Sequence, residues 1–303
     1  MPMTLRARCL CGVLPCLAVA LAGCGSGGAG AVSSSSPAAG TLNVFPQNST
    51  VVVGVNRVGI ALLDARKQPI LNAHASLDVV DGGRVVETRR LDFIGSVYVN
   101  KPVYIGLARF DHTGDYQWVV HATLSDGRSD SGLAHVTATN KSPELPVGHS
   151  LSEVRSDLRQ QIASDPGVKL SDIDSGVPPD NYHDTTIAQG LATHKPMVLY
   201  FGEPGRCPTQ TCGPTLQVLE QILPPYREKL VVEHIEIHMP ASSEALNPIY
   251  LAFGLTSEPW LYFVNAGGVV ADRFEGFVTP DQLRQAVDGT LAGRVPAVDL
   301  TLG

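Results

Sequence analysis

The sequence has no cluster of Lys and Arg residues after its first few positions, and its formal net charge is −7. This charge argues against binding to nucleic acid and against electrostatic attachment to a membrane surface. Several catalytic motifs are also missing, namely a Gly-rich phosphate loop, Gly-x-Ser-x-Gly and His-Glu-x-x-His. No internal repeat is visible. Apolar residues make up 44% of the 303 residues, which is enough for the cores of one or two domains.

Residues 1–23 have the pattern of a signal peptide, because a short basic stretch precedes an apolar run that is too short to span a bilayer comfortably. The run ends in LAGC (21–24), which resembles the lipobox of bacterial lipoproteins. This resemblance implies that Cys24 is lipidated and anchors the protein to a bacterial membrane, facing the extracytoplasmic side of the cell envelope. Residues 24–40, rich in Gly and Ser, are then a flexible tether. A plain secretory signal with an incidental cysteine is the alternative.

The lipobox interpretation leaves few cysteines. Of six in the chain, three leave with the signal peptide and Cys24 is acylated, so Cys207 and Cys212 are the remaining thiols. In an oxidising compartment this isolated pair is expected to bond to itself. A purely structural disulfide, an inert staple, is not favoured, because the closed ring is short and short loops give little stabilisation in the chain-entropy model. A redox-active pair is therefore favoured, with a metal clip and an inert staple as alternatives.

Residues 41–140 read as short strands separated by turns, with Gly-containing turn signals at 81–83 and 126–127 and no convincing helix. This pattern predicts an all-β antiparallel sandwich domain. The stretch GDYQW (114–118) resembles the tyrosine corner of immunoglobulin-like folds, and Trp118 occupies a position where those domains often have a cysteine. We expect Tyr116 and Trp118 to be core residues.

Residues 141–180 are rich in Pro, Ser and Gly and predict a linker, with room for a short helix in 151–163. From about residue 181 the hydrophobic pattern predicts the order α, β, α, β, α, β, β, α, and so an α/β domain over 181–303. Thr279 and Gln282 form a capping-box pattern that predicts the start of the final helix.

The C-terminal pattern resembles the thioredoxin fold. Phe201 ends a predicted strand, the cysteine loop follows, and Glu258-Pro259-Trp260 precedes a later strand where that family has a cis-proline facing its disulfide. The resemblance implies that Pro259 shapes the contact surface beside the cysteines. The whole layout resembles bacterial lipoproteins in which a small β-sandwich precedes a thioredoxin-like domain with a widened Cys-x4-Cys pair.

Two departures from thioredoxins are visible. Either Cys207 and Cys212 are a stretched version of the Cys-Gly-Pro-Cys pair, or CGPT (212–215) overlays that motif, with Thr215 in place of the second cysteine and Cys207 resolving from upstream. In addition, Tyr200 occupies the position of the buried Asp that assists proton transfer in thioredoxins.

Three functions follow as hypotheses. The first is a thiol–disulfide oxidoreductase without a cofactor, acting on protein thiols or disulfides through Cys207, Cys212 and Pro259, because a helix N-terminus lowers the pKa of a cysteine and favours the reactive thiolate. The second is a copper metallochaperone, because copper-delivering relatives of thioredoxin use a cysteine pair with a later His, here His238. The third is a non-catalytic binding lipoprotein. His149, His183 and His194 are expected to be ordinary linker or helix-end residues.

Overall fold

The structure is a computed structural model that describes residues 40–95, 101–154, 158 and 161–294. The signal peptide, Cys24 and almost the whole tether lie outside the described residues and stay predictions. Within the described ranges, no helix is both long enough and apolar enough to cross a membrane.

The first part of the described chain is all β, as predicted. It forms one sheet of eight strands, in the order β1-β3-β6-β5-β4-β7-β8-β2. The strands are β1 (Asn43–Pro46), β2 (Val51–Val52), β3 (Gly54–Leu63), β4 (His74–Asp81), β5 (Arg84–Phe93), β6 (Val103–Phe110), β7 (Gly114–Thr123) and β8 (Ser129–Thr139).

This sheet curls around a single core. Its two ends approach each other, since the backbone N–H of Leu42 donates to the carbonyl of Ser131 at 3.0 Å. Alternate side chains of the strands point inwards, as the two-residue period of a strand requires, and pack in one apolar cluster that includes Val58, Leu77 and Trp118. We refer to the described residues 40–95 and 101–139 as the curled sheet.

The turn signals of the curled sheet are confirmed. Gly82 and Gly83 connect β4 to β5 with positive φ values of 54° and 81°, which favour glycine in a two-residue hairpin turn. The tyrosine-corner pattern has the bond that its name implies, because the Tyr116 hydroxyl donates to the carbonyl of His112 at 3.0 Å. Tyr116 and Trp118 are both buried core residues, as expected.

The C-terminal part has the predicted order of helices and strands. Its elements are α1 (Leu170–Ile173), α2 (Ile187–Ala192), β9 (Met197–Phe201), α3 (Cys212–Ile222), β10 (Val231–Ile235), α4 (Pro248–Ala252), β11 (Trp260–Val264), β12 (Val270–Glu275) and α5 (Pro280–Leu291). The short α1 falls in the segment predicted as a linker. Thr279 and Gln282 form the predicted capping box at the start of α5.

The C-terminal strands form a second sheet, in the order β10-β9-β11-β12. β10 runs parallel to β9, whereas β11 runs antiparallel to β9 and to β12. Alternate residues of β9 face opposite sides: Val198 and Tyr200 pack with α3 and α5, and Met197, Leu199 and Phe201 pack with residues of α2 and α4. The result is a central sheet with helices on both faces, which we call the α/β region.

The helices are shorter than the sequence pattern suggests. α3 ends at Ile222, and Pro224 and Pro225 open a separate 3-10 turn, because proline cannot donate the hydrogen bonds that would continue an α-helix. α4 is limited to Pro248–Ala252 by a side-chain cap from Asn247 and by Gly254, whose φ is 70°.

The segment predicted as a linker packs against the α/β region along its described length. Leu151 is buried in the same core as β9, and the backbone N–H of Leu145 donates to the carbonyl of Phe253 at 3.0 Å. The short helix expected in 151–163 is only a 3-10 turn, Leu151–Glu153, among the described residues of that stretch. Apolar residues of this segment cover one side of the second sheet and so hold the segment against the α/β region.

Candidate functional site

Cys207, in the loop after β9, and Cys212, at the start of α3, form a disulfide, with their Cα atoms 6.0 Å apart. This separation is normal for a disulfide. Cys212 is the first residue of α3, and Pro214 follows within the first helical turn, where a missing N–H costs no intrahelical hydrogen bond. The Cys207–Cys212 bond is common to both alignments that the sequence leaves open.

The two sulfurs have different surroundings. Cys212 is fully buried, whereas Cys207 is partly exposed. The Cys207 sulfur accepts the backbone N–H of Cys212 at 3.3 Å and lies 3.2 Å from the hydroxyl of Thr209. A helix N-terminal N–H and a hydroxyl both stabilise negative charge on sulfur. Cys207 is therefore the sulfur that a partner can reach and the one better prepared to be a thiolate.

A carboxyl group stands against the buried sulfur. Glu258 Oε2 lies 3.3 Å from Cys212 Sγ and accepts the backbone N–H of Glu203 at 2.7 Å. Burial raises the pKa of Glu258 to about 7, so this group exchanges a proton near neutral pH. Pro259 follows it through a cis peptide bond and is itself buried, and the carbonyl of Glu258 accepts the Thr209 hydroxyl at 3.3 Å. The Glu258–Pro259 pair thus borders the cysteine loop.

Tyr200 supports the cysteine loop through a hydrogen bond to Cys212. Its hydroxyl donates to the carbonyl of Cys212 at 2.9 Å, and the side chain is completely buried. Burial raises the pKa of Tyr200 well above its ordinary value, so the hydroxyl remains protonated. The neutral Tyr200 hydroxyl therefore positions the start of α3 through its bond to the Cys212 carbonyl. The carboxyl group beside the cysteines that can exchange a proton is that of Glu258.

His238 is engaged elsewhere. Its Nδ1 lies 2.7 Å from Glu203 Oε1, and its backbone N–H donates to the same oxygen at 3.1 Å. Among the described residues, the ligand-type side chain that groups with both sulfurs within 4.8 Å is Glu258. A metal held by the two thiolates would therefore meet the Glu258 carboxylate. His238 lies outside this group, and because its Nδ1 contacts Glu203, Nε2 is the nitrogen that could bind a metal.

A second group of polar side chains lies buried near the cysteine loop and was missed in the sequence. Its members are Asp174, Asp180, His183 and His234, which we call the His–Asp cluster. The expectation that His183 is an ordinary linker residue is wrong, since it is 4% exposed. The reason is that the supposed linker folds back over β10 and brings its acidic residues and His183 to His234.

Hydrogen bonds define the protonation of this cluster. His234 Nδ1 lies 2.7 Å from Asp180 Oδ2, and Nε2 donates to the carbonyl of Gly202 at 2.9 Å. Burial alone would lower the pKa of His234, but the hydrogen bond to Asp180 together with the charges of Asp180, Glu236 and Asp174 raises it to about 9. Burial likewise opposes ionisation of Asp174, but hydrogen bonds from His183 and from backbone N–H groups bring its pKa down to about 2.

The curled sheet reaches the cysteine region directly. Ile94 and Val103 belong to the same apolar cluster as Cys212, and the Lys101 ammonium donates to the side-chain oxygen of Gln210 in the cysteine loop. The two regions also meet at Glu275, whose Oε1 accepts the backbone N–H of Ser49 at 2.7 Å. The cysteine loop is therefore bordered by residues of both regions.

Comparison with known proteins gives weak similarities. No protein-family model matches the sequence, and a search of curated proteins finds no match. A thioredoxin-family thiol:disulfide interchange protein from Chlorobium tepidum TLS is 18% identical, with 35% of this chain and 86% of that chain covered and a TM-score of 0.29. CopC from Methylosinus trichosporium OB3b is 16% identical, with 34% and 96% covered and a TM-score of 0.25.

A third structure contains fibronectin(III)-like modules of Clostridium thermocellum CbhA, with 17% identity, 35% of this chain and 49% of that chain covered, and a TM-score of 0.20. This chain thus spans about half the length of that one. Sequence identities and TM-scores this low do not define the architecture. The strand order of the two sheets defines it.

Proposed function

We propose that this protein is a lipid-anchored thiol–disulfide oxidoreductase of the bacterial cell envelope that uses Cys207 and Cys212. The observation that carries the proposal is the asymmetry of the disulfide. One sulfur is accessible and accepts a helix N-terminal N–H, and the other is buried against a carboxyl group that exchanges a proton near neutral pH. A purely structural disulfide requires neither feature.

The chemistry runs in two exchange steps. In the reduced protein, the Cys207 thiolate attacks one sulfur of a partner disulfide, a mixed disulfide forms, and the other partner sulfur leaves as a thiolate. The Cys212 thiol then gives its proton to Glu258 and attacks Cys207, which restores the Cys207–Cys212 bond and releases the second partner thiolate. Two electrons pass to the partner. When the partner is a dithiol, the same two steps run in reverse, and the Cys207–Cys212 disulfide oxidises the partner.

Serine substitutions of the cysteines test this proposal. Cys207→Ser and Cys212→Ser are each expected to abolish turnover in insulin-reduction and dithiol-oxidation assays, because each removes one of the two sulfurs that exchange. Cys212→Ser is also expected to accumulate a mixed disulfide with the partner through Cys207. Wild-type turnover in either variant, or a native pair that no dithiol reduces, would reject the redox function and favour a non-catalytic binding lipoprotein.

Copper handling is the second candidate, because reduction of the disulfide would leave two cysteine sulfurs close enough to bind one ion. Thiolates suit Cu(I). The reduced protein would then bind one equivalent of Cu(I) through Cys207 and Cys212, and His238→Ala would weaken binding if His238 Nε2 is a further ligand. Reduced protein that fails to compete with a Cu(I) chelator would exclude this function.

We further propose a thioredoxin-like fold for 181–303 and an immunoglobulin-like sandwich for 41–140, joined by 141–180. The strand order β10-β9-β11-β12 with helices on both faces supports the former, and the Tyr116–His112 hydrogen bond supports the latter.

The membrane anchor rests on the sequence 21–24 and on Cys24. Cys24→Ala is expected to move the protein from the membrane fraction to the soluble envelope fraction, because a lipid chain adds ~0.8 kcal/mol of membrane affinity per buried methylene. Unchanged membrane association of this variant would contradict lipidation.

A further inference from the structure

The His–Asp cluster is a set of ligand-type side chains that the disulfide chemistry does not use. Its side chains are between 0% and 4% exposed. One ligand atom from each residue lies within 4.8 Å of the corresponding atoms of the other three. Buried charged groups in proteins are paired with one another or coordinate metals, and this cluster has the composition for either.

The spacing of the ligand atoms fits a metal. His183 Nε2 lies 3.1 Å from Asp174 Oδ2 and 3.4 Å from Asp180 Oδ1. Four ligands around Zn²⁺ at about 2.0–2.1 Å in a tetrahedron lie roughly 3.3 Å from each other. The Asp180–His234 contact of 2.7 Å is shorter, so these two side chains would separate slightly around a bound ion.

Backbone groups hold the ligands in place, as is usual around metal sites. The carboxylate of Asp174 accepts the backbone N–H groups of Gly176 and Asp180, both at 2.7 Å. His234 Nε2 donates to the Gly202 carbonyl at 2.9 Å, which leaves Nδ1 as the nitrogen that faces the cluster. The orientation of these ligand atoms therefore depends on backbone contacts that a metal would leave intact.

Charge balance also favours a divalent cation. The cluster contains two carboxylates and two imidazoles. A divalent ion bound to two carboxylates and two neutral imidazoles gives a net charge of zero. Glu236 lies on the opposite side of the His234 ring, with Oε1 at 3.9 Å from Nε2, and so is not one of the ligands.

We propose that the His–Asp cluster is a structural site for a divalent transition metal of the zinc class. Two imidazoles and two carboxylates form a closed four-ligand set, which is typical of structural rather than catalytic sites. Three ligands come from 174–183, a stretch without helix or strand that directly follows the four-residue α1, and the fourth comes from β10. The metal would thus attach residues 174–183 to β10 of the central sheet.

The test uses the full chain with all six cysteines replaced by Ser, so that no thiolate ligand is present and failure of the redox proposal does not affect the result. Because the site is buried, the protein is unfolded with chelator and refolded with one equivalent of Zn²⁺ or Co²⁺. We expect one equivalent to survive dialysis. The Co²⁺ form should show the visible absorption of a four-coordinate nitrogen–oxygen site without sulfur charge-transfer bands, and Zn²⁺ should raise Tm.

Two ligand variants and one control complete the test. His183→Gln and Asp174→Asn are each expected to weaken Zn²⁺ binding at least about tenfold, whereas His135→Gln, at an exposed position of β8, leaves it unchanged. Refolded protein with no retained Zn²⁺ or Co²⁺ would overturn the site and leave a hydrogen-bonded network only. Equal retention by His183→Gln and His135→Gln would do the same. If the ligand variants do not fold, the Co²⁺ spectrum of the intact cluster decides.

Discussion

The curled sheet and the α/β region bury different kinds of side chain. Among the described residues 41–139, the buried polar side chains are Asn56 and Arg57, and no carboxylate is buried. The α/β region and the segment before it bury many ionisable groups, including Glu203, Glu236 and the His–Asp cluster. Because burial of such groups costs free energy and perturbs their pKa values, they are typically concentrated where a protein performs chemistry.

From this contrast we expect stability and redox chemistry to be divided between the core of the curled sheet and the α/β region. Substitutions in that core, away from Ile94, Lys101 and Val103 at the cysteine loop, should change the free energy of unfolding and leave the disulfide unaffected. Substitutions of buried carboxyl groups in the α/β region should change the pH dependence of stability or exchange rate.

The largest effect on stability is expected from Trp118→Ala in the curled sheet. Trp118 is fully buried and stacks on Phe110, with ring centroids 6.3 Å apart. Truncation should lower the free energy of unfolding by ~4 kcal/mol, since large-to-small core substitutions leave a cavity. Urea unfolding measures the loss, and Trp118→Phe should lose much less. The reduction potential of the cysteine pair in a glutathione buffer should stay at the wild-type value, and a changed potential would break the division.

The next effect concerns Glu275, where the two regions meet. Burial raises its pKa from 4.5 to about 7, so the folded state prefers the protonated form. Its contribution to stability is therefore complete below pH about 4.5 and is lost as pH rises to about 7, a total of ~3 kcal/mol at about 1.4 kcal/mol per pKa unit.

Glu275→Gln should remove this part of the pH dependence. The measurement is the difference in unfolding free energy between the wild type and the variant at several pH values from 4 to 8. Other buried carboxyl groups titrate in both proteins and cancel in that difference. A difference that does not change with pH would contradict the raised pKa.

The smallest of the three effects is kinetic. Glu258→Gln cannot accept the proton of Cys212, so the second exchange step should slow about 100-fold. In the wild type the rate of the reducing direction should rise with pH through about 7, as Glu258 ionises, and the variant should lack this rise. Stopped-flow decay of the mixed disulfide measures the step. Glu228→Gln, at an exposed position, is the control, and equal rates in both variants would remove Glu258 from the mechanism.

Local signals in the sequence were sufficient for much of the fold. The hairpin glycines, the capping box at Thr279 and the strand that ends at Phe201 depend on neighbouring residues, and the structure has each of them. α3 ends at Ile222 because Pro224 and Pro225 follow, and their missing N–H groups stop the helix.

The His–Asp cluster could not be predicted in this way. It depends on a segment with little regular structure folding back onto β10, and no periodicity reports such a contact. The spacing of Asp174, Asp180 and His183 in a region otherwise rich in Pro and Gly was the available signal. For Glu258, the sequence placed it beside Pro259, but its distance from Cys212 Sγ and its raised pKa required coordinates.

The Arg57 guanidinium of the curled sheet donates to the carbonyls of Glu275 and Phe277, at 3.0 and 2.9 Å. Both acceptors belong to the main chain, so the side chains at those two positions can be exchanged in evolution without weakening this attachment. Lysine in place of Arg57 would lose one of the two bonds, since an ammonium lacks the planar fork that spans two oxygens. Drift in relatives should therefore spare Arg57.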